Sequence, residues 1–93
     1  MNFGDAIAAL KAGEKVARDG WNGKGMFLYY VPAASYPAQR NEIGTMIGCF
    51  DDDMVPYRAY LAMKTVDNDV VPWVASQTDL LADDWTVAEG DAA

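Results

Sequence analysis

The spacing of apolar residues changes along the chain, and each change marks an element. Phe3, Ile7 and Leu10 recur at i, i+4 and i+7 with alanines between them, which predicts a short helix over 4–12. Gly13 stands where a helix C′ residue belongs and ends it. A short strand is predicted over 15–18, and a second over the aromatic run 26–31, closed by Pro32. Between them lies a loop with Gly20, Gly23, Gly25 and a turn-forming Asn22-Gly23 pair. The stretch 33–55 contains Pro37, Gly44 and Gly48 and shows no period, so it reads as a long loop with some local structure. Its Arg40, Ile43, Met46, Ile47 and Phe50 supply enough apolar surface for it to pack. Strands over 57–64 and 70–74, joined by the turn Val66-Asp67-Asn68-Asp69, predict a hairpin. Ser76 is placed to cap a short second helix, with Asp79 in its first turn and Leu80, Leu81 and Trp85 as its apolar side. A closing strand is expected over 84–87.

These elements predict an α+β fold. A small antiparallel sheet of four to five strands would carry an N-terminal helix and a short C-terminal helix. A chain of 93 residues has apolar surface for one core, so a single domain is expected over 1–87, followed by a flexible acidic tail over 88–93. A deep cavity within one protomer would compete with that core, which favours a ligand pocket at a subunit interface.

Composition narrows the function classes. The hydrophobic fraction of 52% excludes intrinsic disorder, and no apolar run approaches a membrane span. The N-terminal residues lack the features of a secretory signal. A lone Cys49, expected to be at least half-buried, fits a reducing cytosol. Fourteen acidic against seven basic residues give a net charge of −7, which disfavours a nucleic-acid polymer as partner. A small phosphate-bearing ligand remains compatible with that charge, because backbone N–H groups and one or two cations suffice to hold it. The absence of histidine removes the commonest general base and the usual zinc ligand. The run Asp51-Asp52-Asp53 lacks the spacing of a calcium loop and reads as a solvated acidic loop. No metal and no cofactor are expected.

Two blocks stand out as candidate chemistry. In the first, running from Arg18 to Gly25, Trp21 can offer a stacking face, and the glycines, Gly23 among them, let backbone N–H groups approach a phosphate. Arg18 and Lys24 can neutralise charge, and the Asn22 amide can both donate and accept. In the second, Trp73 leads through Ser76, Gln77, Thr78 and Asp79 into a helix start rich in hydroxyl and amide groups. Each block has an equally physical structural reading: a glycine turn with Trp21 on the core, and helix capping with Trp73 packed beneath.

The opening Met1-Asn2-Phe3-Gly4-Asp5-Ala6, the block 15–18 with 20–26, and the block 71–82 with Asp84-Trp85 resemble the second Thoeris anti-defence family of phage proteins. The likeness runs from Met1 to about residue 87 and is weakest over 33–55. It implies a protein that sequesters glyco-cyclic ADP-ribose, the signal of Thoeris immunity, without degrading it. It further implies a homo-oligomer, typically a tetramer, acting in the host bacterial cytoplasm with pockets between protomers. Some relatives also hold cyclic oligonucleotides at separate sites. On this resemblance Trp21 and Trp73 would stack on the base, with Phe27 as further wall. Asn22, Ser76, Gln77, Thr78 and Asp79 would hydrogen-bond ribose and phosphate, and Arg18 would supply charge. Two other readings stand beside this one: a nucleotide hydrolase using Asp79 or Asp84 as base, and an oligomeric interaction module whose aromatics are interface.

Overall fold

The structure is a computed structural model that describes residues 1–21, 25–39 and 44–88. Its elements run α1 (Phe3–Lys11), β1 (Val16–Arg18), β2 (Phe27–Val31), β3 (Ala34–Pro37), a 3-10 turn (Asp51–Asp53), β4 (Met54–Tyr57), β5 (Tyr60–Lys64), β6 (Val70–Pro72), α2 (Gln77–Leu81) and β7 (Trp85–Val87). Five of the strands form one antiparallel sheet in the order β6-β5-β2-β1-β7, and β3 pairs with β4 in a separate ribbon. The expected α+β fold, with its N-terminal helix, short C-terminal helix and antiparallel sheet, is what forms.

Helix α1 begins on a capping box. The Asn2 side chain accepts the Asp5 N–H at 2.8 Å and the Asp5 carboxylate accepts the Asn2 N–H at 3.3 Å. Its buried stripe is Ala6 and Leu10, flanked by half-buried Phe3 and Ile7. The small side chain of Ala6 lets the helix lie close to the sheet. Beneath it sit Val16, Leu28 and Trp85, each fully buried. Alternation along a strand sends Leu28 to the helix and its neighbours Phe27 and Tyr29 to the opposite face. The pairings Leu28↔Met63 and Tyr30↔Leu61 place Met63 and Leu61 on the helix side, and Phe27↔Lys64 places Lys64 on the other.

Three expectations need correction. First, the stretch 33–55 is more ordered than a long loop, since β3 and β4 pair through Ala34↔Tyr57, Ser35↔Pro56, Tyr36↔Val55 and Pro37↔Met54. Prolines mask such strands in sequence, but a two-stranded ribbon has an open edge on each side where a missing N–H is tolerated. Second, 57–64 is not one strand. Tyr57 ends the ribbon and Tyr60 starts β5 in the main sheet, so the chain changes sheets at Arg58-Ala59. Third, Trp85 does not serve as the apolar side of α2, where Leu80 and Leu81 are exposed; it is the largest fully buried side chain, on β7.

Smaller differences follow from turn geometry. Cys49 is exposed, on the turn that precedes the acidic run. Asp52 and Asp53 take left-handed conformations with φ of 55° and 54°, and Asp53 accepts the Gly48 N–H at 2.6 Å, so the acidic run builds a turn. The hairpin turn forms as expected, with Asn68 at φ 65° and Thr65 bonded to Asp69 through both backbone and side chain. Arg40 and Ile43 lie outside the described residues. So does the expected tail beyond Ala88, whose N–H donates to the Lys15 carbonyl at 2.8 Å.

Candidate functional site

The two blocks singled out in the sequence meet at one corner of the sheet, around Trp85. Trp21 lies edge-on to Trp85 at a centroid distance of 5.5 Å, and Trp73 lies edge-on to it at 6.0 Å. Phe3 completes the group, 5.3 Å from Trp85 and 6.1 Å from Trp73. Trp21 and Trp73 are each only half-buried, so both keep part of their rings in contact with solvent while anchored on the same buried indole. Each tryptophan thus has one part packed against the core and another part exposed.

Arg18 ties the corner together. Its Nε donates to Asp84 Oδ1 at 2.8 Å and its Nη1 to Asp79 Oδ1 at 2.9 Å. Asp84 Oδ2 accepts the Gly20 N–H at 2.9 Å, and the Asp84 carbonyl accepts the Asp19 N–H at 3.0 Å. Hence the turn carrying Trp21 is closed onto Asp84. The Asp79 carbonyl accepts the Trp85 indole N–H at 3.0 Å, which fixes the ring that both exposed tryptophans rest on.

Helix α2 starts on a second capping box. Ser76 Oγ accepts the Asp79 N–H at 3.1 Å, and Asp79 Oδ2 accepts both the Ser76 N–H at 3.1 Å and the Ser76 hydroxyl at 2.9 Å. The sequence marked this helix start as anion-binding, and its own Asp79 carboxylate takes that position. Gln77 and Thr78 are exposed beside it, and Ser76 is exposed with its hydroxyl engaged.

The electrostatics follow from these contacts. Arg18 hydrogen bonds to Asp84 and Asp79 raise its already high pKa. The Asp84 carboxyl is held below the usual range by the Arg18 guanidinium, against the opposing effect of desolvation and with help from the Gly20 N–H. Burial pushes Asp79 upward, but the Ser76 N–H, the Arg18 guanidinium and the Ser76 hydroxyl together bring it below the ordinary value. Carboxylates held in this way are weak bases near neutral pH, the opposite of what general base catalysis needs.

Phe27 is placed elsewhere. It faces away from α1, with Tyr29 at 6.1 Å and the ammonium groups of Lys15 and Lys64 at 5.1 and 5.8 Å from its ring centroid. These residues, with Asn68 and Val70, line an open hollow of about 480 Å³. A second hollow of about 380 Å³, lined by Val31, Tyr36, Tyr57 and Tyr60 among others, lies toward the ribbon. The structure therefore brings Arg18, Trp21, Trp73, Ser76, Gln77, Thr78 and Asp79 to one corner and sets Phe27 apart on the other face. Asn22, Gly23 and Lys24 lie outside the described residues. Lys15 and Lys64 were not singled out in the sequence, because only the register Phe27↔Lys64 and the approach of Lys15 reveal them as partners of Phe27. Among the described residues no group of three or more potential ligands is arranged to hold a metal ion, and no helix is long and apolar enough to cross a membrane.

The family model of the Thoeris anti-defense 2-like domain matches residues 1–88. The chain is also similar to Thoeris anti-defense 2 of Bacillus phage SP01, 41% identical over 87 residues that cover 94% of this chain and 93% of the relative. A match of that extent takes in both tryptophan blocks and the sheet that joins them, and the chain belongs to the Thoeris anti-defense 2-like family.

Proposed function

We propose that this protein counters Thoeris immunity by binding and sequestering glyco-cyclic ADP-ribose, leaving the molecule intact. The observation that carries the reading is the convergence of two half-exposed tryptophans, 52 positions apart (73 − 21), on one buried indole beside the exposed Gln77 and Thr78. Aromatic faces suit a purine, and amides and hydroxyls suit ribose and phosphate. Sequestration without turnover fits a corner whose carboxylates, Asp79 and Asp84, are committed to Arg18. The protein would act in the cytoplasm of the infected bacterium, where the signal is made.

A single chain offers the ligand an open corner, so the reading includes a homo-oligomer, a tetramer by family likeness, that closes the pocket. Support comes from large apolar side chains left exposed next to the second block, Val74 at 87% and Leu81 at 77%. The hollow of Lys15, Phe27, Tyr29 and Lys64 favours a second reading in addition: two cations beside aromatic rings suit a cyclic oligonucleotide at a separate site.

The test is to mix the purified protein with glyco-cyclic ADP-ribose, remove free ligand by filtration, denature by heat, and chromatograph what is released. Intact signal recovered only after heating is the expected result. A chemically altered product would make the protein an enzyme, and ligand left free throughout would favour the interaction module. Repeating the assay with a cyclic oligonucleotide present decides the second reading: both ligands are retained together if the sites are separate.

A further inference from the structure

We infer that Arg18 is a positioning residue whose charge is satisfied within the chain, and that it shapes the ligand site by locking the Trp21 turn to the start of α2. The inference rests on the proposed ligand site at the Trp21–Trp73 corner. It assigns Arg18 a role different from that of a phosphate-binding cation.

Geometry carries the assignment. The guanidinium spans two carboxylates, Asp79 on α2 and Asp84 in the connection just before β7, 61 and 66 residues away in sequence. Each carboxylate has a second job. Asp84 holds the Gly20 N–H, and with it the turn that presents Trp21. Asp79 closes the α2 capping box, while its carbonyl holds the Trp85 indole. One cation between two carboxylates leaves the trio with a net negative charge, which repels a phosphate rather than attracting it. The fork of the guanidinium is what matches two separate acceptors, and an ammonium presents no such planar fork. Packing is tight on the far side as well: a Cβ at Gly20 would stand 3.0 Å from Asp84 Oδ2, so the carboxylate fits against bare backbone.

The two roles predict opposite effects of a change at Asp84. If Arg18 bound phosphate, Asp84→Asn would remove a competing anion and leave affinity unchanged or higher. If Arg18 positions the corner, Asp84→Asn and Arg18→Gln both loosen it, and the double variant is little worse than the poorer single one. Arg18→Lys separates the roles again, since it retains the charge and loses the fork.

The experiment has two arms. In the first, without ligand, amide hydrogen exchange at Gly20 is followed by NMR in folded wild type, Asp84→Asn, Arg18→Gln and Arg18→Lys. Faster exchange by roughly tenfold or more in all three variants is expected; unchanged protection overturns the lock. In the second, calorimetry with glyco-cyclic ADP-ribose is expected to show affinity lowered roughly tenfold in each single variant, with a strongly non-additive double variant. Affinity lost in Arg18→Gln but retained in both Arg18→Lys and Asp84→Asn overturns the positioning role. Should wild type bind none of this ligand, the proposed function fails by itself, and the exchange arm still decides whether Arg18 is a lock. A variant that does not fold is replaced by Gly20→Ala, which presses on Asp84 without removing a charge and is expected to speed exchange at residue 20 in the same way; normal protection there counts against the lock.

Discussion

The two faces of the main sheet share the same strands yet are built on opposite terms. On the α1 side, Leu28, Val16 and Trp85 are sealed from solvent, and polar contacts are confined to the rim. On the other side, Phe27 and Tyr29 share an open hollow with Lys15 and Lys64. Adjacent residues of β2 therefore answer to different constraints: Leu28 to volume, Phe27 to what approaches from outside. The Arg18 corner lies at the rim of the sealed face, where ion pairs tie Arg18 on β1 to Asp79 on α2 and to Asp84 just before β7.

The sharpest way to break this contrast is a pair of substitutions one residue apart. Leu28→Ala on the sealed face is expected to destabilise the fold by about 2–5 kcal/mol, read from urea unfolding monitored by circular dichroism. Phe27→Ala on the open face is expected to cost about 1 kcal/mol or less in the same assay. Comparable losses at the two positions would mean that the open face is covered in solution.

Acid tests the rim. The folded-state pKa values of Asp79 and Asp84 lie below the ordinary value of 3.8, so the stability they contribute is fully present above that value. It is lost as pH falls below about 4 and protons reach the paired carboxylates. With no histidine in the chain, the melting temperature should be nearly flat between about pH 5 and 7 and then decline as the pair titrates. Asp84→Asn should shrink the acid-dependent part of that decline. A Tm that fell already between pH 7 and 5 would place the sensitive groups elsewhere.

The smallest expected effect belongs to Ser76→Ala. Losing the cap of a five-residue helix should lower stability by about 0.5–1 kcal/mol in chemical denaturation, and Ser76→Thr, which keeps a hydroxyl to accept from the Asp79 N–H and donate to its carboxylate, should recover most of it. No loss in the alanine variant would mean that Arg18 and the backbone N–H of residue 76 hold Asp79 in place without the hydroxyl.

Local chemistry was legible in the sequence, while partners chosen across the fold were not. The Ser76–Asp79 box, the helix ending before Gly13 and the hairpin turn at Asn68 depend on residues a few positions apart, and each forms where its residue types indicate. The β3–β4 ribbon escaped because Pro37 and Pro56 argue against strands, and only pairing with a second short segment offsets them. Trp85 fits both an apolar stripe with Leu80 and Leu81 and the closing strand over 84–87, and only the pairing of β7 with β1 places it on the strand and in the core. At the site, the tryptophan blocks could be picked out by composition. Their meeting at Trp85 and the capture of Arg18 by two distant carboxylates are products of sheet order, in which β7 lies beside β1.

That sheet order also sets a timetable for synthesis. Ala6, Leu10, Val16 and Leu28 leave the ribosome early, but the indole that completes their packing is 57 residues behind Leu28 (85 − 28). At roughly 5–20 residues per second the nascent chain waits about 3–11 s with its apolar helix face uncovered. Over that interval it depends on its own capped helix and hairpins, or on chaperones, to stay out of aggregates. Folding is thus held back until β7 emerges, and the same strand that finishes the core brings Asp84 to Arg18 and sets the tryptophan corner at that moment.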